Sequence, residues 1–299
     1  MNFKLAGHSN TGCDLTPEAL VSRTADLVSL PDIYIRLKAV VDDPESSMAD
    51  VANVVANDPA LAARLLKIAN SPYFGFPARI TSIARAISLL GTQQIHDLVL
   101  ATTVAEAFSG IPTELINMQD FWSNSIRCGL LCRRLAQACN VLDSERLFVE
   151  GLLHDVGHLV MYQGLPEASA AALLESQQQY RPLYQIEREL IGFDYAQVGA
   201  ALMHSWHFPP GLIESVHYQN EPARAEKSPL EVAIMHIAVR LIQHTVAGVK
   251  VAEGIPRIDA AAWQATGLAQ EVIEPVCAKA AEQLATTIDM LFPSERLSA

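Results

Sequence analysis

Aromatic residues are scarce in this chain: they make up 6% of 299 residues, while half of all residues are hydrophobic. An apolar half built mainly from Ala, Leu, Val and Ile favours packed helices over an aromatic-rich β-sandwich, and it excludes global disorder. Basic residues are few as well. The 21 Lys and Arg against 33 Asp and Glu leave a formal charge of −12. Such a balance gives no overall attraction to nucleic acid or to an anionic membrane. Cysteine is limited to five residues, Cys13, Cys128, Cys132, Cys139 and Cys277, with no CxxC spacing. A zinc site needs about four ligands, and the i,i+4 pair Cys128 and Cys132 has no nearby partners. Reduced, mostly buried thiols in a cytoplasmic protein are expected. Long apolar runs are also missing. Mean hydropathy is +0.19, yet no stretch approaches the ~20 residues of a membrane span. No secretion signal stands at the N-terminus. The chain carries no nucleophilic triad, phosphate-cradling glycine loop or dinucleotide fingerprint.

What is present is helix after helix. Residues 1–16 form an expected leader. Thr16 and Pro17 then start a helix to about Leu27, and Leu30-Pro31 opens another over Asp32–Val41. Ser47 to Asp50 has capping-box spacing. Asp58 and Pro59 begin the next helix, with Leu61, Leu65 and Ile68 on one face. After a loop over Asn70–Pro77, a helix over Ser82–Leu90 stops at Gly91, and Thr92 caps one through about Phe108. Helical patterns continue through Phe121–Asn140, Ser144–Gln163 and on to Glu271–Phe292. The expected fold is all-α, an N-terminal helical bundle over residues 17–112 packed on a second bundle over 113–299. The boundary falls in Ile111–Asp120.

The most specific short signal is Gly151-Leu152-Leu153-His154-Asp155-Val156-Gly157. On a continuous helix the adjacent imidazole and carboxylate stand about 100° apart. Both can face a divalent metal, whose bound water can attack a phosphate ester. This segment resembles the central motif of the HD phosphohydrolase superfamily. Asp58-Pro59-Ala60-Leu61, Asn70-Ser71-Pro72-Tyr73-Phe74-Gly75 and Ala86-Ile87-Ser88-Leu89-Leu90-Gly91 narrow the match. In that order they resemble the HDOD domain, the HD-related output domain of bacterial signalling proteins. Phe121–Ser125 and Tyr195–Leu202 extend the resemblance, which covers about residues 24–222. The second bundle is therefore expected to be HD-like.

The resemblance also marks departures. Asn124 stands where catalytic HD relatives carry the first ligand histidine, and Val239 where they carry the late ligand aspartate. Gln219 and Asn220 replace a pair of histidines. The pocket of His154, Asp155, Asn124 and Val239 thus reads as a relic, with His154 and Asp155 a buried hydrogen-bonded pair. No cofactor is expected; a residual divalent metal on His154 and Asp155 is the lesser alternative. The resemblance implies a non-catalytic regulatory module of bacterial signal transduction that acts on signalling protein partners or a small ligand. The alternative is a metal-dependent phosphohydrolase with a cage rebuilt from His154, Asp155 and His158 or His217.

Two further features carry expectations. Asn70, Tyr73, Phe74 and Phe76 either seat their loop on the next helix or offer a partner surface. Asp50–Ala56 and Pro59–Ala69 are spaced like a helix-turn-helix, but the second helix has few cations and the chain is acidic, so nucleic acid is not an expected partner. No membrane partner is expected.

Overall fold

The computed structural model describes residues 15–24, 32–71, 74–107, 115–243, 245–246, 249–250 and 257–291. The leader's residues 1–14, Cys13, the Leu30-Pro31 opening, Tyr73, and the 112/113 boundary lie outside them.

Local capping fixes most helix starts. Thr16 accepts the Ala19 N–H ahead of α1 (Pro17–Arg23). Helix α2 spans Asp32–Asp42. Ser47 and Asp50 complete a reciprocal capping box on α3 (Met48–Ala56). Asp58 caps α4 (Pro59–Ala69) and Ser82 caps α5 (Ile83–Leu90). Each of these side chains satisfies a first-turn N–H that the helix itself leaves open. Gly91, at φ +87°, ends α5 in a conformation that favours glycine. Thr92, expected as a cap, is the first residue of α6 (Thr92–Ala107).

The second half continues with α7 (Met118–Ala138), α8 (Ser144–Leu153), α9 (Val156–Gly164), α10 (Pro166–Gln179), α11 (Leu183–Leu190), α12 (Tyr195–Ser205), α13 (Pro210–His217), α14 (Pro229–Gln243), α15 (Ala260–Thr266) and α16 (Ile273–Leu291). Short 3-10 turns stand at Pro222–Arg224 and Gln270–Val272. A two-residue antiparallel pairing joins Thr245–Val246 to Val249–Lys250. The fold is all-α, as its composition implies.

Helices α2 to α6 pack on one another as an N-terminal bundle. Helix α1 belongs elsewhere than expected: it lies on α9 and α12. Leu20 fits there because Gly164 has no side chain, and a Cβ on Gly164 would stand 2.5 Å from Leu20 Cδ1. In the second bundle α7 packs on α8, α14 and α16, and α6 joins the bundles through α8. One apolar core continues through both bundles. Two glycine contacts bring backbones together where the motif lies. A Cβ on Gly151 would stand 2.7 Å from Gly129 Cα, and one on Gly157 would stand 1.9 Å from the Tyr195 carbonyl oxygen. No helix among the described residues is long and apolar enough to cross a membrane.

Candidate functional site

His154 and Asp155 do not share a continuous helix. The expected Ser144–Gln163 helix breaks between Leu153 and Val156, and the two residues form the break. Tertiary bonds explain it. The His154 carbonyl accepts a hydrogen bond from Gln219 Nε2 at 2.8 Å, so it is drawn toward α13 and away from a fourth-residue partner. Gly157 then sets α9 directly on α12. The two side chains part company. His154 Nδ1 donates to the Gly151 carbonyl at 2.8 Å, and burial lowers its pKa, so the imidazole is neutral.

Asp155 belongs to a different centre. Its Oδ1 lies 2.5 Å from His158 Nδ1, and His158 Nε2 lies 2.9 Å from Glu187 Oε1 on α11. The His158 ring is stacked between Tyr195, 4.0 Å away, and Tyr162, 5.3 Å away. Burial disfavours its charge, but Asp155, then Tyr162 and Glu187, outweigh burial and hold the His158 pKa well above the usual imidazole range. Burial likewise works against the Asp155 carboxylate, and the His158 cation more than compensates, so its pKa is lowered. His158 is an imidazolium donating from both nitrogens to two carboxylates. Glu187 Oε2 also accepts the Tyr195 N–H at 3.1 Å, which ties the centre to the start of α12. Nothing in the sequence links Glu187 to His158, 29 residues away. Their meeting depends on how α11 returns to α9.

A second thread runs from His154. Gln219 Nε2 bonds both His154 O and Val216 O at 2.8 Å, and the Gln219 carbonyl accepts from His236 Nδ1 at 2.8 Å. His236 Nε2 in turn accepts the Asp259 N–H at 3.1 Å. A ring that donates from Nδ1 and accepts at Nε2 is neutral. Burial agrees, lowering the His236 pKa to about 4. Asn220, beside Gln219, donates to the Tyr195 hydroxyl at 3.3 Å. The two positions read as replaced histidines therefore hold helices together.

The remaining relic positions diverge. Val239 is buried in the apolar face of α14. Asn124 is exposed on α7, while Ser125 beside it is buried. Cys128, one turn further on, is close enough for Asp155 to add to the burial that raises its thiol pKa. The residues do not fit the divalent metal that the HD resemblance implies. His154 alone has a ligand's tautomer, with Nδ1 committed and Nε2 facing away from it. Asp155 is neutralised by a cation, and Val239 has no donor. Among the described residues no group of three His, Cys, Asp or Glu could hold a metal ion.

The loop after α4 is pinned by Asn70. Its amide donates to Leu66 O and Ile80 O, each at 2.7 Å, and its oxygen accepts the Ile80 N–H at 2.7 Å. Phe74 and Phe76 stack 6.1 Å apart, half-buried against the core. Beside them a groove of about 990 Å³ runs between this loop and α16, with Lys67, Arg79 and Asp289 in its lining. Helix α4, the second element of the helix-turn-helix spacing, packs against α16, and its Lys67 donates to the Asp289 carbonyl.

The HDOD domain family model matches residues 27–222. A Shewanella amazonensis protein provisionally named a phosphohydrolase shares 27% identity, with a TM-score of 0.70 over 93% of this chain and 97% of that one. An HDOD domain protein of unknown function from Geobacter sulfurreducens shares 21% identity, with a TM-score of 0.74 over 93% and 98%. A Marinobacter aquaeolei protein provisionally named for signal transduction shares 22%, with a TM-score of 0.70 over 93% and 61%. The chain also matches an uncharacterized protein of Treponema pallidum at 24% identity over 75% of its own length, and it spans only 44% of that relative.

Proposed function

The chain belongs to the HDOD domain family, and on that premise we propose that it is a non-catalytic output module of bacterial signal transduction. It acts by binding a signalling protein partner or a small ligand, in the cytoplasm, without a resident cofactor. The observation that carries this reading is the fate of Asp155. A catalytic carboxylate must be free to bind a metal or a substrate, and Asp155 is held by an imidazolium that Glu187 holds from the other side. Val239 and the exposed Asn124 leave His154 without ligand partners. The loop of Asn70, Tyr73, Phe74 and Phe76, with the adjoining groove, is the proposed partner surface.

Two measurements on the full chain test the proposal. The protein is purified without chelator and its metal content is determined by elemental analysis. It is then assayed with added manganese against a generic phosphodiester and against nucleotides. The expected result is substoichiometric metal and no turnover above the level of His154→Ala and Asp155→Ala variants. One tightly held metal per chain, with hydrolysis that either variant abolishes, would establish the phosphohydrolase instead.

A further inference from the structure

Charge is unevenly distributed along this acidic chain. Between Asp58 and Asp97 there is no Asp or Glu, while Arg64, Lys67, Arg79 and Arg85 all fall in that interval. The rest of the chain holds 21 − 4 = 17 cations against 33 acids, a net −16. Local charge opposed to the net charge says nothing about the fold, but it selects the sign of what is drawn to that place.

The fold turns this interval into one wall of the groove beside α16. Lys67 on α4 and Arg79 in the following loop line it, and both are exposed. Arg85 is exposed on α5, which packs on α4. The Lys67 ammonium reaches α16, where it donates to the Asp289 backbone carbonyl at 3.3 Å. Apolar lining lies beside the cations. Ala63 is exposed, and Leu66 and Phe76 are half-buried, so each keeps accessible surface. Phe76 is held by the parallel ring of Phe74, and the loop by the three bonds of Asn70. The wall is therefore preformed, which limits the ordering that binding must impose. Among the described residues the one carboxylate in the lining is that of Asp289, on the α16 side.

We propose that this groove docks an acidic polypeptide segment of a partner protein. Its carboxylates face Lys67 and Arg79, and an apolar side chain sits on Leu66 and Phe76. The proposal rests on the partner surface proposed above and adds the chemistry of the partner. The mixed lining favours polypeptide over nucleic acid. A nucleic-acid strand carries a phosphate at every nucleotide, and it would set some of them against Asp289 and against a surface that is acidic elsewhere. A polypeptide can space its carboxylates between apolar side chains, as the lining requires.

The test uses the full chain and a short fluorescein-labelled peptide in which glutamate pairs alternate with leucines, followed by fluorescence anisotropy. Comparison probes carry glutamine for glutamate or serine for leucine, and a single-stranded oligonucleotide serves as competitor. Saturable binding of the acidic peptide is expected, weakening as salt rises from about 0.05 to 0.5 M. The glutamine and serine peptides each bind about tenfold more weakly. Lys67→Glu and Arg79→Glu each weaken binding about tenfold, since reversal turns an attraction into a repulsion of similar size. Arg257→Glu makes the same change in net charge outside the groove and leaves affinity within about twofold. All three positions are exposed, so the variants melt close to wild type. Any of five results would overturn the proposal: no saturation at millimolar acidic peptide, equal affinity for the glutamine peptide, displacement by oligonucleotide at lower concentration, wild-type affinity in either groove variant, or an equal loss in Arg257→Glu. An equally bound glutamine peptide would keep the groove as a partner surface and remove only its acidic partner. The metal and hydrolysis measurements are decided independently, so the two readings fail separately.

Discussion

Replacing Gly157 by alanine tests how the charged centre is assembled. In an unencumbered helix this change stabilises by about 1 kcal/mol, because alanine loses less backbone entropy. Here the new methyl would stand 1.9 Å from the Tyr195 oxygen and 2.6 Å from the Gly199 nitrogen. Both are backbone atoms and cannot rotate aside. Ordinary contact begins near 3.4 Å, so α9 and α12 must separate by about 3.4 − 1.9 = 1.5 Å. Overpacking of this kind costs about 1–3 kcal/mol, and a rigid backbone contact belongs at the upper end. Subtracting the helix gain leaves a net loss of about 2 kcal/mol. For a chain of this size that lowers the melting temperature by about 3 °C. The same movement carries Tyr195 off the His158 ring, which it now faces at 4.0 Å. Thermal denaturation by circular dichroism reads the first effect, and the His158 imidazole resonances read the second. Gly199→Ala is the internal comparison. Its Cβ would stand 3.3 Å from a Val216 methyl, which can yield, and at an ordinary contact distance of 3.5 Å from the Gly157 nitrogen. A melting temperature equal to or above wild type in Gly157→Ala would refute the reasoning.

The pH dependence has two arms. His158 has a raised native pKa, so its stabilisation is complete below the unfolded value near 6.5 and is lost as pH rises through the native value. Asp155 has a lowered native pKa, so its share is present above about pH 4 and is lost as pH falls through the native value. Urea midpoints compared between wild type and His158→Gln should therefore converge at alkaline pH, and a constant gap would contradict the ion-pair assignment. His236 acts in the opposite sense to His158. Its pKa falls from 6.5 to about 4, so acidification across that window removes stability of order 3 kcal/mol. A His236→Gln variant, also able to donate and accept, should show a flatter acid limb; an unchanged limb would count against the neutral thread. Asn70→Ala removes three hydrogen bonds to the loop. It should cost about 1–2 kcal/mol and speed proteolysis between residues 71 and 80, and an unaltered digestion pattern would argue against the pin.

What could be read from the sequence divides along the range of the forces involved. The caps at Thr16, Ser47 and Asp58 act over three residues, so their spacing alone reveals them, whereas Ser82, read as the first residue of its helix, is its cap. The all-α class follows from helical patterning that recurs along most of the chain. The break at His154-Asp155 was not legible, because apolar periodicity runs through it without interruption. It arises from Gln219 and from the α9–α12 contact, both remote in sequence. Glu187 and Tyr195 escaped for the same reason. The resemblance singles out Asn124 within the segment Phe121–Ser125, which lies on α7. Only the structure shows that Asn124 itself is exposed and that Ser125 and Cys128 are the buried neighbours.

The imidazolium of His158, held at both nitrogens, also sets the order in which this pocket could be re-engineered. Val239→Asp alone would place a carboxylate in the apolar face of α14, where burial favours its protonated form. It would gain no metal, because Asp155 would still be engaged. The first step must be at His158 or Glu187, and that step destabilises the chain before any ligand is gained. A path that frees Asp155 for a metal therefore passes first through a loss of stability, whatever is gained at the other positions.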